Sequence, residues 1–298
     1  MAMVGSLRSL PSLRDISVVV ALLAVGAVGC SEMSESAKEG AKKAARQRLV
    51  HSLDLGDCFN ANSRTEKETY SVEVVPCDEA HQGQVVGEFE IDDKEEGKYP
   101  GPDGLSALVD DRCAAEAQKY APDTWALPKG VTLFHYTPTE EGWATGDRAV
   151  TCSYTAENGT MSGPVGTAKS LDPRQAAYLK GSNGVYEALW VHQPETDSVE
   201  DDLSGYKAQA KAVAAALEEH VQGLGAIEGA EVGKLRSGLT KAVGHWKKAA
   251  GARDVDAFYA AYDPALTGID PDKSVTAREE LGLATTVPAE DAEVWAAG

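Results

Sequence analysis

Residues 105–120 read LSALVDDRCAAEAQKY, and this stretch decides the fold class. Its apolar side chains recur at the spacing of one helical face, with Cys113 among them, so the pattern predicts a helix. Segments typical of β-strands lie on both sides of it, at 70–75, 84–91, 131–136 and 149–154. The predicted order is therefore β-β-α-β-β, which favours an antiparallel sheet with one helix packed against a face.

A second region, residues 167–298, predicts a small helical bundle. Asp172-Pro173 is typical of a helix start, and a capping sequence at Ser198 is expected to begin the next helix. Apolar residues repeat in a three–four rhythm through the long helices, which indicates that antiparallel helices bury a common core. A last short helix is expected over 274–281. The first helix is expected to bury one face, formed by Leu179, Tyr186, Leu189 and Trp190.

The predicted fold class is therefore α+β. An N-terminal disulfide-bonded antiparallel sheet with one helix, residues 51–166, precedes a C-terminal all-α helical bundle, residues 167–298. The turn-rich and small-residue segment 163–169 is expected to link the two domains.

The first 29 residues predict a signal peptide. Arg8 and Arg14 precede an uncharged run over 16–28, which is shorter than the about 20 residues that span a bilayer. Residues 27–30, AVGC, then resemble the lipobox of bacterial lipoproteins, in which the cysteine is acylated and becomes the new N-terminus. This predicts lipid attachment at Cys30. The alternatives are cleavage after residue 29 without acylation and retention of the segment as an uncleaved membrane anchor.

The five cysteines support the lipidated interpretation. Exported proteins tend to pair their thiols, so an odd cysteine needs a role, and acylation of Cys30 leaves four that can pair. Of the three possible pairings we favour Cys58–Cys77, which closes a loop onto the end of a strand, and Cys113–Cys152, which joins the helix to the last strand. A zinc site is the alternative for four cysteines, but the sequence has no Cys-x-x-Cys pair.

The charge of the chain limits which classes of partner it can bind. The formal net charge of −19 repels nucleic acid, so we expect no nucleic-acid partner. The segment 31–50 is net positive and is expected to be a tether that follows the lipidated cysteine, in the domain 30–50. Anionic lipid head groups would attract such a tether, although a solvated spacer without lipid preference is an equal alternative. The expected location is the extracellular face of the cell membrane, with a lipid anchor.

Three short motifs resemble those of a known family. They are LGDCF at 55–59, VPCDEAH at 75–81 and WATGDRAVTC at 143–152. In this order, and with this cysteine spacing, they resemble the septum formation domain of actinobacterial membrane proteins and lipoproteins over about residues 50–160. The sequence departs from the expected pattern at Gln84, where the resemblance leads us to expect an acidic residue. The resemblance implies an envelope location and an association with cell division, and it carries over no biochemical activity.

Three polar residues are candidates for binding. His81, Asp147 and Arg148 are expected to contact a ligand or peptide at one end of the sheet; alternatively, they fix loops through hydrogen bonds. We predict no metal and no cofactor. The acidic run at 92–96 lacks the spaced oxygen ligands and the glycine of a calcium loop, and His220 and His245 have no acidic or cysteine residue at ligand spacing.

The sequence predicts a binding or scaffolding module of the cell envelope and no catalytic residues. It contains neither Gly-x-Ser-x-Gly nor His-Glu-x-x-His. The expected partners are the membrane, through the lipid anchor, and an envelope or division protein or peptidoglycan. The alternatives are a small-ligand-binding lipoprotein and a cell-wall hydrolase. A hydrolase would need a cleft with two carboxylates, or with a histidine held by an ordered partner.

Overall fold

The computed structural model describes residue 40 and the ranges 44–61, 71–92, 98–194 and 196–288. The predicted signal peptide, Cys30, most of the tether and residues 93–96 of the acidic run lie outside the described residues. Contacts group residues 46–298 into one compact unit that contains both the sheet and the helical bundle. The predicted α+β class is confirmed, with a disulfide-bonded antiparallel sheet followed by a mostly helical region.

The described residues form a six-stranded sheet in the order β1-β3-β2-β4-β6-β5, and every neighbouring pair is antiparallel. The strands are β1 (Gln47–Leu49), β2 (Cys58–Ala61), β3 (Ser71–Val75), β4 (Gly83–Glu90), β5 (Val131–Tyr136) and β6 (Ala149–Ala156). The four predicted strands correspond to β3 to β6. The other two, β1 and β2, have only three and four residues, too few to show an alternating pattern in the sequence.

The helix α1 (Gly101–Tyr120) packs on one face of this sheet through Leu105, Val109, Cys113 and Ala117, which follow one another every fourth residue. Leu108, expected in the same stripe, is instead exposed. The helix comes closest at Gly87, where an added Cβ would lie 2.6 Å from the Glu116 Cβ. The predicted bridge between Cys113 and Cys152 joins α1 to β6. Gly87 therefore provides the space that lets the helix reach the strand.

The opposite face of the sheet has its own small core. Val85 and Val86 are neighbours on β4, and because side chains alternate along a strand they belong to different cores. Val85 packs with Phe59 and Val72 beneath the 3₁₀ turn Val50–Ser52. The predicted bridge between Cys58 and Cys77 is also present. It links the start of β2 to the second residue after β3. A short helix, α2 (Glu140–Ala144), connects β5 and β6 and buries Trp143.

Five helices make up the second part of the described chain. They are α3 (Pro173–Val191), α4 (Leu203–Leu224), α5 (Ala230–Ala250), α6 (Val255–Gly268) and α7 (Val275–Glu280). Their buried residues form one hydrophobic cluster, with Trp246 and Phe258 at its centre among the fully buried side chains. The predicted start of α3 is present, because the Asp172 carboxylate accepts hydrogen bonds from two backbone amides of the first turn.

Two expectations for the bundle are wrong. The second long helix begins after Asp202, whose carboxylate accepts from the Gly205 amide at 2.8 Å. The Ser198 hydroxyl instead donates to the Glu200 carboxylate, so it does not cap a helix. On α3, Trp190 is 45% exposed, and the helix turns Tyr178 and Val185 inward in its place.

No helix among the described residues is long and apolar enough to cross a membrane.

Candidate functional site

A buried arginine joins the sheet region to the bundle. Arg278 on α7 is 3% exposed and forms an ion pair with Asp123, in the loop that follows α1. Its Nε donates to the Ala284 carbonyl at 2.6 Å, and its guanidinium lies 4.0 Å from the centroid of the Trp125 ring. One side chain thus engages a carboxylate, a carbonyl and an aromatic ring from two separate parts of the chain.

Further hydrogen bonds fix the same loop against the helices. The Asn183 side chain on α3 donates to the Pro122 carbonyl at 2.9 Å, and the Ala284 amide donates to Asp123 at 3.3 Å. The loop 122–131 is therefore held on the bundle from two sides. It forms one wall of a cavity of about 590 Å³, whose other walls come from α3, α4, α5 and the segment 268–288.

The inner surface of this cavity is mostly apolar. Its buried side chains include five leucines, namely Leu179, Leu189, Leu217, Leu235 and Leu239. Its buried polar side chains include His220 on α4, which is 5% exposed, and Arg278, which is 3% exposed. Exposed Lys129 and Lys273 also border the cavity and lie where it meets solvent. The arrangement is that of an apolar space with a few polar groups, which is typical of small-molecule sites.

His220 is held as a neutral imidazole. Burial lowers its pKa to about 4, so the ring carries no charge at neutral pH. The Tyr178 ring meets it edge-on at 5.5 Å between centroids. A side chain at Gly181 would overlap the imidazole, so the glycine on α3 provides the room in which the ring sits.

Two carboxylates border the cavity, and both already have partners. Asp123 pairs with Arg278, and Asp270 accepts from the Asp272 amide at 2.9 Å, which caps the 3₁₀ turn Pro271–Ser274. In the part of the chain that the structure describes, no three His, Cys, Asp or Glu side chains come together in a way that could hold a metal ion.

His81 lies inside the protein, away from this cavity. Its backbone pairs with Met161 in both directions, and its side chain is fully buried. The ring Nδ1 lies 2.9 Å from the Glu79 carbonyl oxygen, which accepts its proton in a hydrogen bond, and Nε2 is buried without a partner among the described residues.

Asp147 and Arg148 fix the corner between α2 and β6. The Asp147 carboxylate accepts from the Ala149 amide at 3.0 Å, while Arg148 donates to the Trp143 carbonyl at 3.0 Å and stacks 3.7 Å above the Trp143 ring. The strand register places this corner beside Glu90, at the far end of β4 from His81. An eight-residue strand is about 25 Å long, so the expected grouping at one end of the sheet is wrong.

Gln84 is a buried polar residue that the sequence indicates only as a departure from the family pattern. It is 1% exposed, and its amide donates to the Gly56 carbonyl at 3.2 Å and to the Tyr120 hydroxyl at 3.1 Å, while its oxygen accepts from the Val165 amide at 2.8 Å. A carboxylate could not donate to a carbonyl oxygen. The departure from the expected acidic residue therefore has a structural reason, since an amide joins three segments here.

The sequence places several of the lining residues on buried helix faces but does not indicate that a cavity forms beside them. Asp123 and Arg278 are 155 positions apart, and neither belongs to a motif. His220 falls at a position of the apolar stripe that the three–four rhythm predicts for its helix. The stripe does place it in the bundle interior, but nothing in a helical repeat shows that the ring faces a cavity.

Comparison with known proteins gives a family match for the first part of the chain. Residues 24–152 match the family model described as septum formation. No curated protein and no solved structure matches the chain. The matched segment contains both disulfides and ends at Cys152 within β6, so it covers less than half of the chain and leaves the helical bundle outside. The match is to the same family that the three sequence motifs resemble, so that resemblance is confirmed over residues 24–152.

Proposed function

We propose that the protein is a cell-envelope lipoprotein that acts as a non-enzymatic binding module in septum formation. Acylated Cys30 holds it at the outer face of the cytoplasmic membrane, and the folded unit 46–298 reaches an envelope or division protein, or peptidoglycan. The observation that carries the proposal is the match of residues 24–152 to the septum formation family.

Two features of the chain support the proposed location. Both disulfides lie within the matched segment, and such bonds persist in oxidising compartments outside the cytoplasm. They use four of the five cysteines, so Cys30 is the thiol that remains, and it follows an apolar run of signal-peptide length. Acylation with two or more chains gives stable attachment, whereas one chain binds membranes only marginally.

The septal role can be tested by imaging in the native host. The full chain, fused at its C-terminus to a fluorescent protein that matures outside the cytoplasm, should concentrate at division sites. A matched control carries only residues 1–50 before the same reporter, so it has the proposed anchor without the folded domain. We expect the control to label the envelope evenly. An even distribution of the full-length fusion, indistinguishable from this control, would refute the septal role.

The contribution of the anchor is tested separately with Cys30→Ala. This variant keeps the folded unit but cannot be acylated at position 30, so it should leave the membrane fraction or remain as an unprocessed precursor. Wild-type attachment of a variant that has been cleaved before residue 30 would exclude Cys30 as the anchor while leaving the septal role open to the imaging test.

A second candidate function, the binding of a small ligand, is favoured by the cavity between the loop 122–131 and the bundle. A hydrolase is not proposed, because Asp123 and Asp270 are each engaged in contacts that hold the fold.

A further inference from the structure

The cavity is partly open to solvent, and its volume of about 590 Å³ is that of a binding site. Protein interiors are close-packed, and voids larger than a water molecule are few. A volume of about 590 Å³ corresponds to roughly 20 water molecules at about 30 Å³ each, and it falls in the range of small-molecule sites. Its walls are well anchored, because the loop that closes it is held by Arg278 and Asn183. The space is therefore a built feature of the unit.

The walls select for an apolar body. Leucines from three helices face the interior, among them Leu189 on α3, Leu217 on α4 and Leu239 on α5, and all three are buried. A hydrocarbon chain or ring system in this space would make dispersion contacts with the apolar lining atoms. Water would restore few of them, since it needs two to four polar partners at each position.

His220 adds one specific polar requirement. Its imidazole is largely buried but borders the cavity, where a bound ligand can reach it. A neutral imidazole offers one donor and one acceptor. A hydroxyl or carbonyl group on an otherwise apolar ligand would satisfy it.

The charges around the cavity favour an acidic ligand. Three basic side chains line the cavity, Lys129, Lys273 and Arg278, together with two acidic ones, Asp123 and Asp270. The lining therefore has one net positive charge, whereas the whole chain has a formal net charge of −19. Arg278 and Asp123 neutralise each other, and Asp270 is engaged as a cap. The two exposed lysines are therefore the groups that remain for an acidic head at the solvent side.

We propose that this cavity binds an acidic amphiphile with a single apolar chain or ring system. About 20 non-hydrogen atoms fit inside, a hydroxyl or carbonyl group meets His220, and a carboxylate or phosphate lies near Lys129 and Lys273. The shared chemistry is that of a hydroxylated fatty acid or of a lysophospholipid. The proposal does not depend on the septal role, because it rests only on the cavity and its lining.

Photo-crosslinking on the full chain tests the proposal. The protein is placed in phosphatidylcholine nanodiscs with one of three photoactivatable probes: a C16 hydroxy acid, palmitoyl lysophosphatidic acid, or uncharged monopalmitoylglycerol. After irradiation, mass spectrometry maps the labelled peptides. We expect at least one acidic probe to label α4 and α5 within the cavity, about tenfold more than the uncharged probe, and to be displaced by excess unlabelled compound. The acidic probe that labels identifies the head group.

Charge reversal provides the matched control. Lys129→Glu/Lys273→Glu should reduce cavity labelling about tenfold, whereas Lys211→Glu/Lys241→Glu changes net charge equally at exposed positions outside the cavity and should leave labelling unchanged. His220→Phe keeps a ring in the same space and should lower labelling several-fold. Labelling spread along the surface, equal labelling by the uncharged probe, or equal loss in both charge-reversed proteins would overturn the proposal.

Discussion

Acid should destabilise the folded unit through His220, and the size of the effect follows from its environment. In the unfolded chain an imidazole has a pKa near 6.5, whereas burial lowers the pKa of His220 to about 4. Between these values the unfolded chain binds a proton that the folded chain does not, so acidification favours unfolding. The stability associated with the neutral ring is complete above pH 6.5 and is lost as pH falls towards 4. One pKa unit is about 1.4 kcal/mol, so the loss is about 3 kcal/mol.

The substitution His220→Phe isolates this contribution. Phenylalanine keeps an aromatic ring against Gly181 and Tyr178 but cannot be protonated. Urea unfolding of both proteins between pH 7.5 and 4 gives the free energy of unfolding at each pH. Other titrating groups, including His51, whose pKa burial also lowers, are common to the two proteins and cancel in the difference.

The expected result is a difference that changes by about 3 kcal/mol in favour of the variant as the pH falls from 7.5 to 4. A difference that is the same at every pH would refute the assignment of His220 as a buried neutral ring. A change in the opposite direction would show that the folded state stabilises the charged imidazole.

Three further substitutions test the contacts that hold the fold, each by the free energy of unfolding at pH 7. Arg278→Met should cost about 3–5 kcal/mol because it leaves the largely buried Asp123 carboxylate unpaired, and adding Asp123→Leu should recover most of the loss; no recovery would contradict this. Gln84→Met should cost about 2–4 kcal/mol, since three hydrogen bonds are lost at similar volume; a neutral effect would mean that the amide contributes nothing. Removing Cys113–Cys152, which closes a loop with a sequence separation of 39, should cost about 4 kcal/mol, and a cost below 1 kcal/mol would contradict the bridge.

The parts of the fold that the sequence predicts are those with local, repeated signals. Alternation in 131–136 and helical spacing around Cys113 each depend on neighbours in the chain, and both elements appear at the expected positions. Both cysteine pairings also follow from the predicted elements. Strands β1 and β2 could not be found in this way, because three or four residues do not establish a period and their pairing with β3 is non-local.

The candidate site depends on contacts between residues far apart in the chain, and no local sequence pattern predicts such contacts. Arg278 meets Asp123 across 155 positions, and the cavity beside them exists because two separate regions fail to fill the space between them. The helical repeat predicts that His220 lies inside the bundle. It does not show whether the ring packs against a neighbouring side chain or faces a cavity. The sequence wrongly predicts His81 beside Asp147, because strands predicted without their register do not show which strand ends lie together in the sheet.

The central claim is that the protein is anchored through Cys30, and the mass of its N-terminal peptide tests it most directly. The full chain, isolated from membranes of its native host, is digested and its N-terminal peptide is measured by mass spectrometry. The proposed function predicts a peptide that begins at Cys30 and carries at least two acyl chains. A peptide that begins at residue 30 without acyl chains, or one that retains any part of residues 1–29, would contradict it.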